Sequence, residues 1–308
     1  MNPLRSLILA AAGSDAIRKA VATAPGTRSV VDRFVAGESR ADAVAAVAAL
    51  ADKGLYATLD YLGEDTTDTE LAERTVQAYL KLLDSLHQEG LGARAEVSVK
   101  LSALGQRLDA KLAVDNAFRI CAAAEQCGTT VTVDMEDHTT TDATLGAVAE
   151  LREAWPSVGA VVQSYLRRTE ADVDALAAPG SRVRLVKGAY AEPPEVAYAH
   201  AHDVDLGFVR CANRLLAGGG YAMFGTHDPR LIEIAGDRAR AHGRAPGEYE
   251  FQLLYGVRPD EQVRLAAAGE TVRVYVPYGE QWYGYLMRRL AERPANAAFF
   301  LRALVSTR

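Results

Sequence analysis

Residues 221–242 read Tyr221-Ala222-Met223-Phe224-Gly225-Thr226-His227-Asp228-Pro229-Arg230-Leu231-Ile232-Glu233-Ile234-Ala235-Gly236-Asp237-Arg238-Ala239-Arg240-Ala241-His242. The first five residues form a short β-rich run, and Pro229 to His242 has the length of a helix. Between them Asp228 is placed to cap the helix and Pro229 to start it, because a helix begins with unpaired N–H groups that an aspartate can satisfy and that proline lacks. The stretch is therefore one strand, a tight turn carrying Thr226 and His227, and one helix.

The same unit recurs on both sides. Further β-rich runs lie near Leu55 to Leu62, Ala95 to Leu101, Thr129 to Met135, Gly159 to Tyr165, Arg182 to Val186, Tyr249 to Leu254 and Thr271 to Val276, making eight candidate strands in all. Helix-length segments fill the intervals at Thr69 to Glu89, Leu104 to Gln126, Asp142 to Trp155, Thr169 to Leu176, Val196 to Ala217 and Pro259 to Ala268. Alternating strands and helices pair in parallel through right-handed crossovers, and eight repeats are the number that closes, so the expected fold is a TIM-like (β/α)8 barrel. An open doubly wound sheet competes, but its Gly-x-Gly-x-x-Gly turn is missing, and Gly218-Gly219-Gly220 precedes a strand instead of following one.

Residues 1–54 read as an N-terminal helical segment and 55–308 as the barrel. Ser39 and Asp42 have the spacing of a helix N-cap. The N-terminus, Met1 to Gly13, has a charge and a short apolar run like a weak signal peptide, yet it flows into Asp15, Ile17, Arg18 and Lys19 in helical register and is read as an amphipathic helix. A final helix is expected from Gln281 to Leu290, stopped by Arg293-Pro294, with a last helical piece from Ala297 to Leu304.

The 308 residues, 49% of them hydrophobic, can bury one large core, and a (β/α)8 domain needs roughly 250. A net charge of -6 and the lack of a basic patch argue against nucleic acid as a partner. No stretch reaches the roughly 20 apolar residues that span a bilayer, which still leaves peripheral membrane contact compatible with the pattern. Cys121, Cys127 and Cys211 make no disulfide framework and suit a reducing compartment, with packing their expected role.

In a barrel, the C-terminal ends of the strands carry the chemistry. Polar groups gather there: Lys100 after Ser98, Asp134 to His138, Gln163 near Tyr165, Arg184 and Lys187, Thr226 to Asp228, Gln252 and Tyr255, and Arg273 with Tyr275. Lys100 and Asp134 also admit a plain structural ion pair. Glu136, Asp137 and His138 are metal-ligand types, but consecutive residues splay to different sides, so no metal is expected. On the final helix Tyr285, Arg288, Arg289 and Glu292 fall at i, i+3, i+4 and i+7 on one face, where Glu292 could orient either guanidinium. Two adjacent arginines suit a small anionic substrate, because their donor forks match a carboxylate.

Five spaced segments resemble the proline dehydrogenase family: Val99 to Leu104, Arg184 to Tyr190, Phe224 to Asp228, Tyr249 to Gly256, and Tyr275 to Gly279 followed by Tyr285 to Arg289. The resemblance runs from Leu59 onward in family order, and the length fits the monofunctional bacterial type. It implies a distorted barrel that binds FAD non-covalently, with the last helix over the active face. Arg288 and Arg289 would hold the carboxylate of L-proline with help from Lys100. Tyr275, Tyr285 and Leu254 would pack around the ring, with Asp134 fixing the layer beneath. Gln163 and Arg184 would lie at the isoalloxazine, Val186, Lys187, Gly188, Ala189 and Tyr190 along the flavin side of the pocket, Thr226 and His227 at the ribityl and pyrophosphate, and Glu292 at another polar cofactor group. Glu64 would close over the site by pairing with Arg288. Where the bifunctional branch has tryptophan after Gly-Ala-Tyr, this chain has Ala191-Glu192-Pro193, and the spacing from Tyr275 to Arg288 is shorter.

The implied reaction is hydride transfer from proline C5 to flavin N5, yielding 1-pyrroline-5-carboxylate. Also implied are reoxidation by a membrane quinone, a separate 1-pyrroline-5-carboxylate dehydrogenase downstream, and a place in the cytoplasm or at the inner face of the cell membrane. Two other readings compete. A Schiff-base aldolase-like barrel would use Lys100 or Lys187 as nucleophile. A non-catalytic protein would offer its arginine-rich helix to an acidic partner.

Overall fold

A computed structural model describes residues 28–292. Two helices, α1 (Arg28–Phe34) and α2 (Arg40–Ala51), lead into the strands β1 (Tyr56–Tyr61), β2 (Ala95–Val99), β3 (Val131–Val133), β4 (Gly159–Gln163), β5 (Arg182–Val186), β6 (Tyr221–Gly225), β7 (Tyr249–Leu254) and β8 (Val272–Tyr278). The helices α3 (Thr69–Gln88), α4 (Ala110–Cys127), α5 (Thr141–Ala154), α6 (Thr169–Leu176), α7 (Ala201–Ala217), α8 (Pro229–Ala241) and α9 (Pro259–Ala267) alternate with them, and α10 (Trp282–Glu292) follows β8. Every neighbouring pair is parallel, and β1 pairs with β8 to close the barrel in the order expected from sequence. Asp228 accepts from the Arg230 amide and Pro229 opens α8, as the founding stretch predicts.

Side chains alternate along each strand, and the two faces have opposite chemistry. Leu59, Val97, Val133, Val162, Leu185, Phe224, Phe251 and Val274 point to the helices and belong to one continuous core with α2 to α9. The interior of the barrel is polar. Barrels of this class usually fill with branched aliphatic side chains, whereas here Glu96, Arg182, Arg184, Glu250 and Arg273 meet inside. Arg182 lies 2.6 Å from Glu96, and Arg273 makes a forked pair with Glu250 at 2.8 and 3.1 Å. Arg273 also donates to the Ala57 carbonyl. It thus belongs to this lower layer and not to the active rim, where its strand position alone had placed it.

Two expected helices begin later than their apolar patterns suggest. Leu101–Leu104 forms a separate 3-10 turn, closed by Gly105 at φ 101°, before α4 starts at Ala110. Val196 and Ala197 send their amides to the Pro193 carbonyl, and Ala197 bridges to Leu166, so α7 starts only at Ala201. The expected N-terminal amphipathic helix before Arg28, the stop at Arg293-Pro294 and the piece from Ala297 to Leu304 lie outside the described residues.

α1 and α10 form a second apolar cluster through Val30, Phe34, Trp282, Leu286 and Leu290. α2 instead joins the main core, and its start is a full capping box: Ser39 Oγ accepts from the Asp42 amide while Asp42 accepts from the Ser39 amide at 2.9 Å. Ser39→Ala is expected to cost about 1 kcal/mol, since the helix loses one partner for its first amides. A urea titration that left the midpoint unchanged would show that α2 is held by packing alone.

Candidate active site

At the C-terminal ends of the strands lies a cavity of about 630 Å³, within the size range of small-molecule and cofactor sites. Its floor is an ion cluster. Lys100 Nζ stands 2.7 Å from Asp60, 3.4 Å from Asp134 and 3.2 Å from the Tyr275 hydroxyl, which occupies all three of its protons. Asp134 also accepts from Tyr275 at 2.7 Å, from Ser98 at 3.0 Å and from Arg184. Arg184 donates in addition to Ser98 and Gln252. Strand alternation puts these groups inward, because Asp60, Ser98, Arg184, Gln252 and Tyr275 occupy the face opposite the apolar core positions.

Burial penalises every charge here, so the partners decide which survive. The Asp134 carboxyl would rise on burial, but Lys100 and Arg184 outweigh this and hold it below its ordinary value. Asp60 goes the other way, raised by burial and by the charge of Asp134 despite Lys100. Burial would lower Lys100, yet Asp60 and Asp134 prevail and raise it. An ammonium held protonated is a poor nucleophile, which counts against the Schiff-base reading for Lys100. Lys187 is likewise ion-paired, 2.6 Å from Asp205 and 3.2 Å from Asp228.

The roof comes from α10. Tyr285, Arg288 and Arg289 face the cavity, with the Arg289 guanidinium 5.2 Å from the centre of the Tyr285 ring. Arg288 makes a forked pair with Glu64, at 2.8 and 3.2 Å, across the mouth. This is the carboxylate the family resemblance suggested. The Glu292 side chain, which helix spacing offered instead, lies outside the described side chains.

The walls are Met135, Val161 and Gln163 on one side, the segment from Val186 to Tyr190 beside them, and Thr226, His227 and Leu254 opposite. Gln163 donates to the Glu136 carbonyl at 2.9 Å, and Thr226 Oγ1 accepts from the Asp228 amide. His227 Nε2 accepts from the Leu254 amide at 2.9 Å, which assigns the ring proton to Nδ1. Every site residue picked from sequence, apart from Glu292, lines this one cavity: Lys100, Asp134, Gln163, Arg184, Val186, Lys187, Gly188, Ala189, Tyr190, Thr226, His227, Leu254, Tyr275, Tyr285, Arg288 and Arg289. Asp60 and Gln252 line it too; strand position alone marks Gln252 only as a polar strand end and does not reveal Asp60.

Glu136, Asp137 and His138 part company as their spacing predicts. Glu136 accepts from the Ser102 amide, Asp137 from the Thr139 amide, and His138 pairs with Glu192. Cys121, Cys127 and Cys211 are buried free thiols, and burial pushes Cys121 and Cys211 up to about 12. Among the described residues no helix is long and apolar enough to cross a membrane.

Whether this cavity suits a flavin can be judged from its donors. The isoalloxazine edge and the pyrophosphate are rich in acceptors, and the wall offers the Arg184 guanidinium, the Gln163 amide, the Lys187 ammonium, the Thr226 hydroxyl and the His227 ring. Among the described residues, the buried Arg184 Nη2 has no hydrogen-bond partner, with Glu96 Oε1 standing off at 3.7 Å. The residues present fit the group.

Comparison with known proteins agrees. The profile of the proline dehydrogenase family matches residues 43–302. Proline dehydrogenase of Deinococcus radiodurans is 41% identical over 282 residues, 90% of each chain. Proline dehydrogenase 2 of Bacillus subtilis is 36% identical over 279 residues, 91% of each. Among solved structures, proline utilization A from Bdellovibrio bacteriovorus, inactivated by N-propargylglycine, superposes with a TM-score of 0.80 at 25% identity, covering 86% of this chain and 33% of that longer one. The barrel, the donor-lined cavity at its active face and these matches lead to one assignment: the chain belongs to the proline dehydrogenase family, a family of FAD-dependent oxidoreductases.

Proposed function

We propose that this enzyme oxidises L-proline to 1-pyrroline-5-carboxylate and passes the electrons to a membrane quinone. The observation that carries the reading is the pairing, in one cavity, of two adjacent arginines on α10 with a donor-rich wall reaching from Gln163 to His227. When bound, FAD supplies the acceptor for the hydride that leaves proline C5, at its N5 atom.

The protein's own residues hold and orient. Arg288 and Arg289 bind the substrate carboxylate, and Lys100 adds positive charge from the floor. Tyr275, Tyr285 and Leu254 pack around the pyrrolidine ring. Asp134 fixes Tyr275, Lys100 and Arg184 relative to one another and so keeps the layer under the ring rigid. The amine gives up its proton before C5 is oxidised, and the cations around it favour the neutral amine. Gln163 and Arg184 would hold the isoalloxazine, the Val186 to Tyr190 segment with Lys187 would flank it, and Thr226 and His227 would serve the ribityl and phosphate part.

The enzyme acts in the cytoplasm, attaching peripherally to the inner face of the cell membrane to reach its quinone. A separate 1-pyrroline-5-carboxylate dehydrogenase consumes the product. The test is the visible spectrum of the purified protein before and after anaerobic proline. Flavin bands that bleach on addition are expected. Bands indifferent to proline would overturn the substrate, and protein that stays colourless with excess FAD would overturn the mechanism. N-propargylglycine, the inactivator of the related proline utilization A, is expected to abolish proline oxidation here.

A further inference from the structure

The wall segment from Lys187 to Tyr190 has no regular secondary structure, yet it must hold its shape for the cavity to keep its own. Its near end is fixed by Tyr165, which follows β4. The Tyr165 amide donates to the Lys187 carbonyl at 2.9 Å, and its ring lies so close to Gly188 that a Cβ there would fall 2.4 Å from two ring carbons. Gly188 also has φ +116°, a conformation that side chains other than glycine's resist.

The far end is fixed by Glu192. Its side chain is only 3% exposed, although it sits in a surface connection between β5 and α7. One oxygen accepts from the Tyr165 hydroxyl at 3.1 Å and from the His138 amide at 3.0 Å, and the other meets His138 Nδ1. A buried carboxylate with three donors is a strong fastening, because each bond is charge-assisted and water is excluded. The three residues come from the loops after β3, β4 and β5, so Glu192 binds three strand ends together, and the Tyr190 backbone hydrogen-bonds to the same Tyr165 hydroxyl.

We propose that Glu192, acting through His138 and Tyr165, is a positioning residue that sets how far Tyr190 stands into the cavity and hence which ring the pocket accepts. The proposal rests on the reading of the cavity as a proline site. With the clasp intact the wall is stiff and admits an unsubstituted five-membered ring. With it released, Tyr190 can retreat, so proline is held less well and a ring bearing a substituent is tolerated better.

Glu192→Ala in the FAD-loaded enzyme is expected to raise KM for proline about tenfold while kcat changes little, the pattern of lost ground-state positioning. Discrimination against a ring-substituted proline should shrink by a similar factor. His138→Ala should add little to Glu192→Ala, because both remove one fastening. A readout independent of turnover is limited trypsin digestion, in which cleavage after Lys187 should quicken in the variant. Unchanged KM, discrimination and cleavage would overturn the proposal. If Glu192→Ala does not fold, Tyr165→Phe, which removes a single hydroxyl, carries the same test. Should the unaltered enzyme fail to oxidise proline, the substrate reading falls, while the trypsin comparison still decides whether the clasp holds the wall.

Discussion

Glu250→Gln is expected to lower the stability of the barrel by about 3 kcal/mol at neutral pH, the cost of breaking a buried ion pair while one charge stays behind. Glu250 is fully buried and receives Arg273 through two bonds, Gln252 through one and the Tyr221 hydroxyl through another. Glutamine matches its shape but leaves Arg273, among the described residues, with Glu96 at 3.8 Å as its remaining salt-bridge partner. The change should also alter the pH dependence. Burial alone would raise the Glu250 carboxyl, but Arg273 and Arg182 hold it down at about 2, against an ordinary 4.5. A carboxyl lowered on folding stabilises fully above its ordinary value, and that contribution drains away as pH falls toward its folded value. Urea midpoints measured from pH 7 down to about pH 2 should therefore fall less steeply for the variant. Equal midpoints at neutral pH would mean that the polar interior contributes nothing to stability.

Arg288→Ala should reduce kcat/KM for proline about a hundredfold, largely through KM, since on the proposed reading it removes a charged fork that binds the carboxylate. Part of this loss comes from what is left behind. Glu64, now paired with Arg288 across the mouth, would face the substrate's own carboxylate without its counter-charge. Adding Glu64→Ala should therefore recover some of the loss, a non-additivity expected of groups in contact. Steady-state kinetics on the two single variants and the double variant decide this. A normal KM in Arg288→Ala would remove that arginine from the clamp.

The barrel was legible because each repeat carries its own punctuation, as in the run from Tyr221 through the Asp228 cap and Pro229 into α8. The late start of α7 was not, because Val196 and Ala197 are as apolar as helix residues and are held instead by Pro193 and Leu166, partners that periodicity does not reveal. Strand alternation shows which face a residue takes but not its depth. Arg273 and Tyr275 share a face, yet the first lies in the closed ionic layer and the second reaches the cavity floor. Asp60 was passed over for a related reason. It sits in an otherwise unremarked strand, and the partner that gives it meaning, Lys100, is 40 residues away.

The charges inside the barrel are divided unevenly along the chain. The first four strands and the residues just after them contribute three inward carboxylates, Asp60, Glu96 and Asp134, against the single ammonium of Lys100. The last four contribute three guanidiniums, Arg182, Arg184 and Arg273, against the carboxylate of Glu250. Each half of the molecule is thus an electrostatic mould for the other: an anionic trough facing a cationic one. During folding, two like troughs from neighbouring chains would repel where the correct pair attracts. The polarity that makes the interior costly to bury also tells each half which surface to close upon.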